Sequence, residues 1–220
     1  MHDIRVEVGF DILQANEALA EKNRALLDDF GVTAFNIMGA IGSGKTTLIE
    51  LAADRLGDRH GIGAIAGDIV ADIDAERFKR HNVPTVPLNT GKECHLDAHL
   101  VEHALERLPL DDLDILFIEN VGNLICPTDY SLGEHHRVVI VSVSEGDDIV
   151  EKHPMIFKTC SLAIVNKVDI AKAVNADADK MVDDVLRINP RIKALKTSKT
   201  TGEGVDDWIK FIEGNMNVHR

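Results

Sequence analysis

The chain has 220 residues, with 24 Lys and Arg against 37 Asp and Glu, a formal net charge of −13, and 45% apolar residues. It is long enough to bury a core without cross-links, and no window approaches the roughly 20 uninterrupted apolar residues of a membrane span. The acidic balance argues against general nucleic-acid binding, which relies on Lys and Arg to neutralise phosphate. No apolar run follows Met1-His2-Asp3-Ile4-Arg5, so a secretory signal is not expected. Three cysteines are too few for a disulfide scaffold and fit reduced thiols in the cytoplasm.

In chain order, the first periodic segment runs from Asp11 to Phe30. Ile12, Asn16, Leu19, Ala20, Leu26, Leu27 and Phe30 recur at steps of three and four, which predicts an amphipathic helix, and Gly31 stands where a C-cap glycine belongs. Short apolar runs then alternate with helical patterns. Strands are predicted at Ala34–Met38, Ile62–Ala66, Thr85–Leu88, Leu113–Ile118, Val138–Val143, Leu162–Val165 and Ile192–Leu195. Helices are predicted at Lys45–Leu56, Ile69–His81, Leu96–Leu108, Ala178–Ile188 and Val205–Glu213. Consecutive apolar residues such as Val138-Val139-Ile140-Val141 suit strands covered on both faces. The expectation is an α/β fold with a mostly parallel sheet flanked by helices on both faces and an N-terminal helix appended, residues 1–220 forming a single domain.

Gly39-Ala40-Ile41-Gly42-Ser43-Gly44-Lys45-Thr46 matches the phosphate-loop pattern G-x-x-x-x-G-K-[ST] in full, between a predicted strand and a predicted helix, with Thr47 next. Its glycines let successive N–H groups face one concavity, and the helix adds its positive end. Lys45 is placed to reach the β- and γ-phosphates and Thr46 to ligate Mg²⁺. Asp68 and Glu119, at strand ends on the ligand side of such a sheet, are candidates to complete the magnesium shell.

Asn166-Lys167-Val168-Asp169 follows a strand roughly 120 residues after the phosphate loop. It resembles the N-K-x-D element of GTP-binding proteins, in which a carboxylate such as Asp169 accepts from two guanine N–H groups that adenine lacks. Thr197-Ser198-Lys199 looks like the last base-contacting loop, with an ordinary Ser/Thr turn as the competing reading. GTP is therefore expected over ATP.

Cys94-His95 stand together at a predicted loop-to-helix junction, and Cys126 follows the strand that bears Glu119. If neighbouring strand ends converge, these thiols and imidazole suit nickel or zinc and not Mg²⁺. His99 is a candidate fourth ligand on the same helix face as His95, though a surface histidine fits equally. His103 is expected on the surface, His135-His136 in a solvated turn, and Cys160 in the core.

Taken together, Gly39–Thr46, Gly67-Asp68-Ile69, Asp72–Arg77, Thr90–Ala98, Glu119–Pro127 and Asn166–Asp169 resemble the hydrogenase nickel-incorporation GTPases, the HypB family of SIMIBI-class P-loop GTPases. The Cys-Pro-His signature of the urease nickel-insertion GTPases is absent, which disfavours that alternative. A P-loop GTPase with a purely structural zinc is the other. The resemblance implies a cytoplasmic factor that hydrolyses GTP slowly during [NiFe]-hydrogenase maturation, forms a GTP-promoted homodimer, and binds nickel or zinc through Cys94, His95 and Cys126. It further implies a small nickel-binding partner protein and, indirectly, the hydrogenase large subunit as recipient. Gly122 takes the place of the switch glycine that contacts the γ-phosphate. No cysteine precedes Cys94 and His2 is the only histidine before His60, so the nickel-storing N-terminal tracts of some family members are missing.

Overall fold

A computed structural model describes residues 4–68, 71–91 and 94–216, with side chains from residue 12 onward; Ile69, Lys92 and Glu93 of the sequence motifs lie outside them. In chain order the elements are α1 (Ile4–Phe30), β1 (Thr33–Gly39), α2 (Lys45–Leu56), β2 (Ile62–Asp68), α3 (Asp72–Lys79), β3 (Thr85–Asn89), α4 (Ala98–Leu105) and β4 (Ile115–Glu119). After these come β5 (His136–Ser142), α5 (Ile149–Lys152), α6 (Pro154–Thr159), β6 (Leu162–Asn166), α7 (Ala178–Ile188), β7 (Lys193–Thr197) and α8 (Val205–Gly214). The described strands form one parallel sheet of seven in the order β3-β2-β4-β1-β5-β6-β7. The predicted α/β architecture is thus the observed one.

Alternation along the strands divides the core. Phe35 and Ile37 of β1 face a cluster built with Leu48, Ile49, Phe78 and Trp208 from α2, α3 and α8, where Trp208 Nε1 donates to the Leu48 carbonyl at 3.0 Å. Ala34 faces the other side, with Leu27 of α1 and Val101 and Leu105 of α4. Met38 joins Val139, Val141, Phe157, Met181 and Val185 under α6 and α7. Both faces are dry, which is why these strands read as continuous apolar runs.

The helix α1 is less of an appendage than its sequence suggests. Its buried face includes amides: Asn16 and Asn23 are 7% and 2% exposed. Asn23 Nδ2 donates to the carbonyls of Ala98 and Leu132, and Asn16 donates to Ser131 O while accepting from Ala98 N–H at 2.8 Å. Ile12 and Phe30, assigned to the apolar stripe, are exposed. Gly31 ends the helix at φ 71°.

His135 and His136 are not in a solvated turn. His135 Nδ1 accepts from Ala34 N–H at 3.0 Å and its Nε2 lies 2.9 Å from Asp28, while His136 opens β5 and stacks on Phe35. Burial lowers the pKa of both. The short helices α5 and α6 have no counterpart among the predicted elements, because the break at His153-Pro154 leaves each piece too short to show periodicity. Cys160 is buried as expected.

Candidate functional site

The loop between β1 and α2 turns on glycines at positive φ. Gly44 adopts φ 107°, and a Cβ there would sit 2.2 Å from Asn166 Nδ2, so the residue is glycine both for its conformation and for the approach of the β6 loop. Lys45 Nζ donates to the carbonyls of Gly39 and Ala40 at 3.1 and 3.2 Å. The N-terminus of α2 carries no side-chain cap, leaving its first N–H groups to face the loop's concavity.

Beyond the loop, Thr46 Oγ1 lies 2.8 Å from Glu119 Oε1 and 3.2 Å from Asp74 Oδ1. Glu119 is buried, its Oε2 has no hydrogen-bond partner, and desolvation pushes its pKa up to about 7 against the pull of Lys45. A hydroxyl, a carboxylate with an orphaned oxygen and further carboxylates make a set of hard oxygen donors that fits Mg²⁺. Asp68, at the end of β2, lines the same cleft of about 300 Å³ with Ile41, Gly42, Gly44, Lys45, Thr46, Thr47, Asp74, Arg77, Glu119, Gly122 and Lys167.

Asp74 and Arg77 belong to the Asp72–Arg77 segment that carries the family resemblance, but the sequence assigns neither a role in the cleft. Both come from α3. Arg77 is held by Glu50 through two bonds of 2.9 and 2.7 Å and reaches Thr47 Oγ1 at 3.3 Å. Gly122 packs against Ile41, to whose Cγ1 a Cβ would come within 2.3 Å.

A second compartment of about 280 Å³ shares Gly44, Thr47 and Lys167 with the first and is completed by Asn166, Asp169, Ile170, Lys199 and Thr200. Asn166 Nδ2 donates to Ser43 O at 2.8 Å and its Oδ1 accepts from Thr197 Oγ1, so one amide fixes the phosphate loop, β6 and β7 together. Lys167, at φ 61°, reaches back to Gly42 O at 2.7 Å. Ser198 Oγ donates to Asp169 Oδ1 at 2.7 Å, holding that carboxyl below its usual range, and Ser198 N–H is taken by Glu203 O. Ser198 therefore braces Asp169, while Lys199 lines the compartment. A larger cleft of about 470 Å³ lies at the opposite, amino ends of β2 and β4, between Asp54, His60, His81 and Leu113. It lacks the converging loops that follow strand ends, where ligands of such sheets bind.

The donor atoms of Cys94, His95 and Cys126 all lie within 4.8 Å of one another, the one such group of three or more among the described residues. Cys94 is exposed; His95 and Cys126 are half-buried. Cys94 Sγ is 3.7 Å from His95 Nδ1, and the His95 ring stacks on Tyr130 at 3.9 Å between centroids. Two thiols and an imidazole fit nickel or zinc, with a coordination position left over.

His99 does not join them. His95 precedes the Asp97 cap of α4, so the i, i+4 rule does not relate the two, and His99 instead lies exposed beside Glu102 and His103.

The loop that carries Cys126 is tied to both sites. Asn123 forms an isolated antiparallel bridge with Gly39 of the phosphate loop, donates through Nδ2 to Cys94 O at 3.3 Å, and accepts from Ile125 N–H at 2.9 Å. Deeper in, Asn120 Oδ1 accepts from the N–H groups of Leu96 and Val121, and its amide continues through Asn36 to Glu134 and Arg137. Arg137 in turn holds the carbonyls of Thr128 and Tyr130.

The pattern of the family described as "CobW/HypB/UreG, nucleotide-binding domain" matches residues 33–196. The probable hydrogenase maturation factor HypB of Methanocaldococcus jannaschii is 58% identical over 217 residues, covering 98% of each chain. The crystal structure of the hydrogenase maturation factor HypB of Archaeoglobus fulgidus superimposes with a TM-score of 0.88 at 52% identity, covering 93% of this chain and all of that one. That of HypB from Helicobacter pylori in complex with nickel gives 0.86 at 31% identity, covering 94% and 99%. The chain belongs to the HypB branch of the CobW/HypB/UreG family, P-loop GTPases built on a parallel sheet.

Proposed function

We propose that this chain is a nickel-insertion factor of [NiFe]-hydrogenase maturation, hydrolysing GTP to GDP and phosphate to control a metal site. The observation that carries the proposal is the segment from Glu119 to Cys126, which has one end in the nucleotide cleft and the other in the Cys94–His95–Cys126 cluster. Residues 1–220 act as one P-loop GTPase domain. Gly39 to Thr46 and Thr47 cradle the phosphates, Thr46, Asp68 and Glu119 hold Mg²⁺ with Asp74 beside them, and Asp169, braced by Ser198, selects guanine against adenine. Mg²⁺ supplies charge neutralisation across the β- and γ-phosphates when bound.

Slow turnover follows from what surrounds Gly122. The Asn123 carboxamide is engaged by Cys94 O and Ile125 N–H, and the Arg77 guanidinium is committed to Glu50 and Thr47. Such a GTPase works as a timer. Loss of the γ-phosphate releases the Gly122 segment, and Cys126 moves relative to Cys94. By reciprocity, metal binding alters nucleotide affinity.

Three donors with an exposed thiol favour an exchangeable ion over a closed structural zinc, which takes four protein ligands. They also leave room for a ligand from a second copy, in keeping with a GTP-promoted homodimer that passes nickel between a small nickel-binding partner and the hydrogenase large subunit. No helix among the described residues is long and apolar enough to cross a membrane, in keeping with cytoplasmic work. The test is nickel affinity measured with a GTP analogue and with GDP, beside a comparison of GTP with ATP. Equal nickel affinities would remove the coupling, and equal nucleotide affinities the assignment of the base.

A further inference from the structure

Cys126, Pro127 and Thr128 form one tight helical turn, and Tyr130, the only tyrosine of the chain, stands just after it. From there its ring crosses to the other thiol-bearing segment and stacks on His95, with 3.9 Å between centroids and 28° between planes. Both partners of this stack are tied to one buried chain of polar groups. Arg137 Nη2 donates to Tyr130 O at 3.2 Å, and Asn120 Oδ1 accepts from Leu96 N–H, beside His95, at 3.2 Å. Between Arg137 and Asn120 run Glu134 and Asn36, both buried.

We infer that Tyr130 is a positioning residue of the metal site: its ring is a shelf that holds the His95 imidazole turned toward the Cys94 and Cys126 thiols. The inference rests on the reading of those three residues as a nickel site. Cys94 is exposed and His95 half-buried, so an unsupported imidazole would turn about its side-chain bonds, and closing the cluster would cost that freedom. A stacked ring removes the freedom in advance, which is how a preorganised ligand gains affinity. An ion that draws charge from the imidazole makes it partly cationic, and the electron-rich face of a phenol then attracts it more strongly. The shelf therefore favours the loaded state. It acts through the ring face, and the hydroxyl is dispensable. Because Tyr130 travels with the Cys126 turn, a shift of that turn withdraws the shelf from His95 together with the thiol.

The test is the nickel(II) affinity of the full chain by competition against a chromophoric chelator, with the release rate read by stopped flow. Tyr130→Phe keeps the ring and should bind within about twofold of wild type. Tyr130→Leu keeps bulk without the ring face and should bind about tenfold more weakly, through faster release. In a His95→Ala background, which still offers both thiols, Tyr130→Leu should cost nothing further, because the ring then has nothing to hold. The same loss in both backgrounds would make Tyr130 a packing residue of its loop and overturn the shelf. So would wild-type affinity in Tyr130→Leu, or a loss in Tyr130→Phe equal to that in Tyr130→Leu, which would make the hydroxyl the group that matters. Nickel affinity that survives Cys94→Ser would sink the reading of the cluster itself, a result that none of the Tyr130 outcomes produces.

Discussion

Asn123 joins Cys94 to the phosphate loop: its amide holds the Cys94 carbonyl at 3.3 Å while its backbone pairs with Gly39. Truncation to Asn123→Ala removes two hydrogen bonds, worth about 1 kcal/mol each. The variant should bind nickel about tenfold more weakly and show a smaller difference between its GTP-analogue and GDP states. Competition against a chromophoric chelator measures both. An unaltered difference would show that coupling travels by the deeper Asn120 route.

Asp169→Ala should weaken GTP by about 100-fold and leave the already weak binding of ATP unchanged, because only guanine offers the carboxylate a pair of N–H donors. Nucleotide titration by calorimetry checks this. A parallel loss for both nucleotides would mean that Asp169 shapes the loop and does not read the base.

Glu119 sets a pH dependence. Its native pKa of about 7 lies above the ordinary value of 4.5, so between these limits the folded chain holds a proton that the unfolded chain releases. Stability from this group is therefore full below pH 4.5 and is lost as pH rises through 7, by about 3 kcal/mol. The buried histidines His135 and His136 slope the other way, so the quantity to measure is the difference between wild type and Glu119→Gln in urea titrations across this range. Relative to that variant, the wild type should lose stability on going from pH 4.5 to 8, and magnesium nucleotide should reverse the loss.

The cysteines should separate by reactivity. Burial pushes the Cys160 thiol up to about 12, whereas Cys94 is exposed and Cys126 half-buried. At pH 8, iodoacetamide should label Cys94 and Cys126 and spare Cys160, and nickel should protect the first two. Peptide mass mapping reads the outcome; protection of Cys94 without Cys126 would break the shared cluster.

Asn23→Ala leaves the carbonyls of Ala98 and Leu132 without their buried donor, at a cost of about 1–3 kcal/mol. Thermal unfolding should shift down accordingly, while Asn123→Ala, half-exposed, should move it less.

Much of the site could be read directly because its chemistry needs contiguous residues. Eight positions of phosphate loop and four of base loop carry their own geometry, and the strands announce themselves because both faces are buried. What could not be read depends on long-range pairing. Asp74 and Arg77 stand in a segment the resemblance includes, but that they line the cleft depends on where α3 docks. Asn123 is legible only as a residue that is not glutamine; its partners outside its own loop, Gly39 and Cys94, lie in segments brought together by the sheet. His99 misleads because helical spacing was extended through the Asp97 cap, where the helix has not begun. His135 and His136 look polar and external until α1 closes over the first and Phe35 stacks on the second.

The two asparagines of α1 grip Ala98, just past the His95 segment, and Ser131 and Leu132, just past Tyr130. A helix outside the alternating pattern thus spans both flanks of the thiol pair like a crossbar. Any shift of α1 is therefore felt on both flanks of the thiol pair through backbone groups, by a route separate from the nucleotide loops.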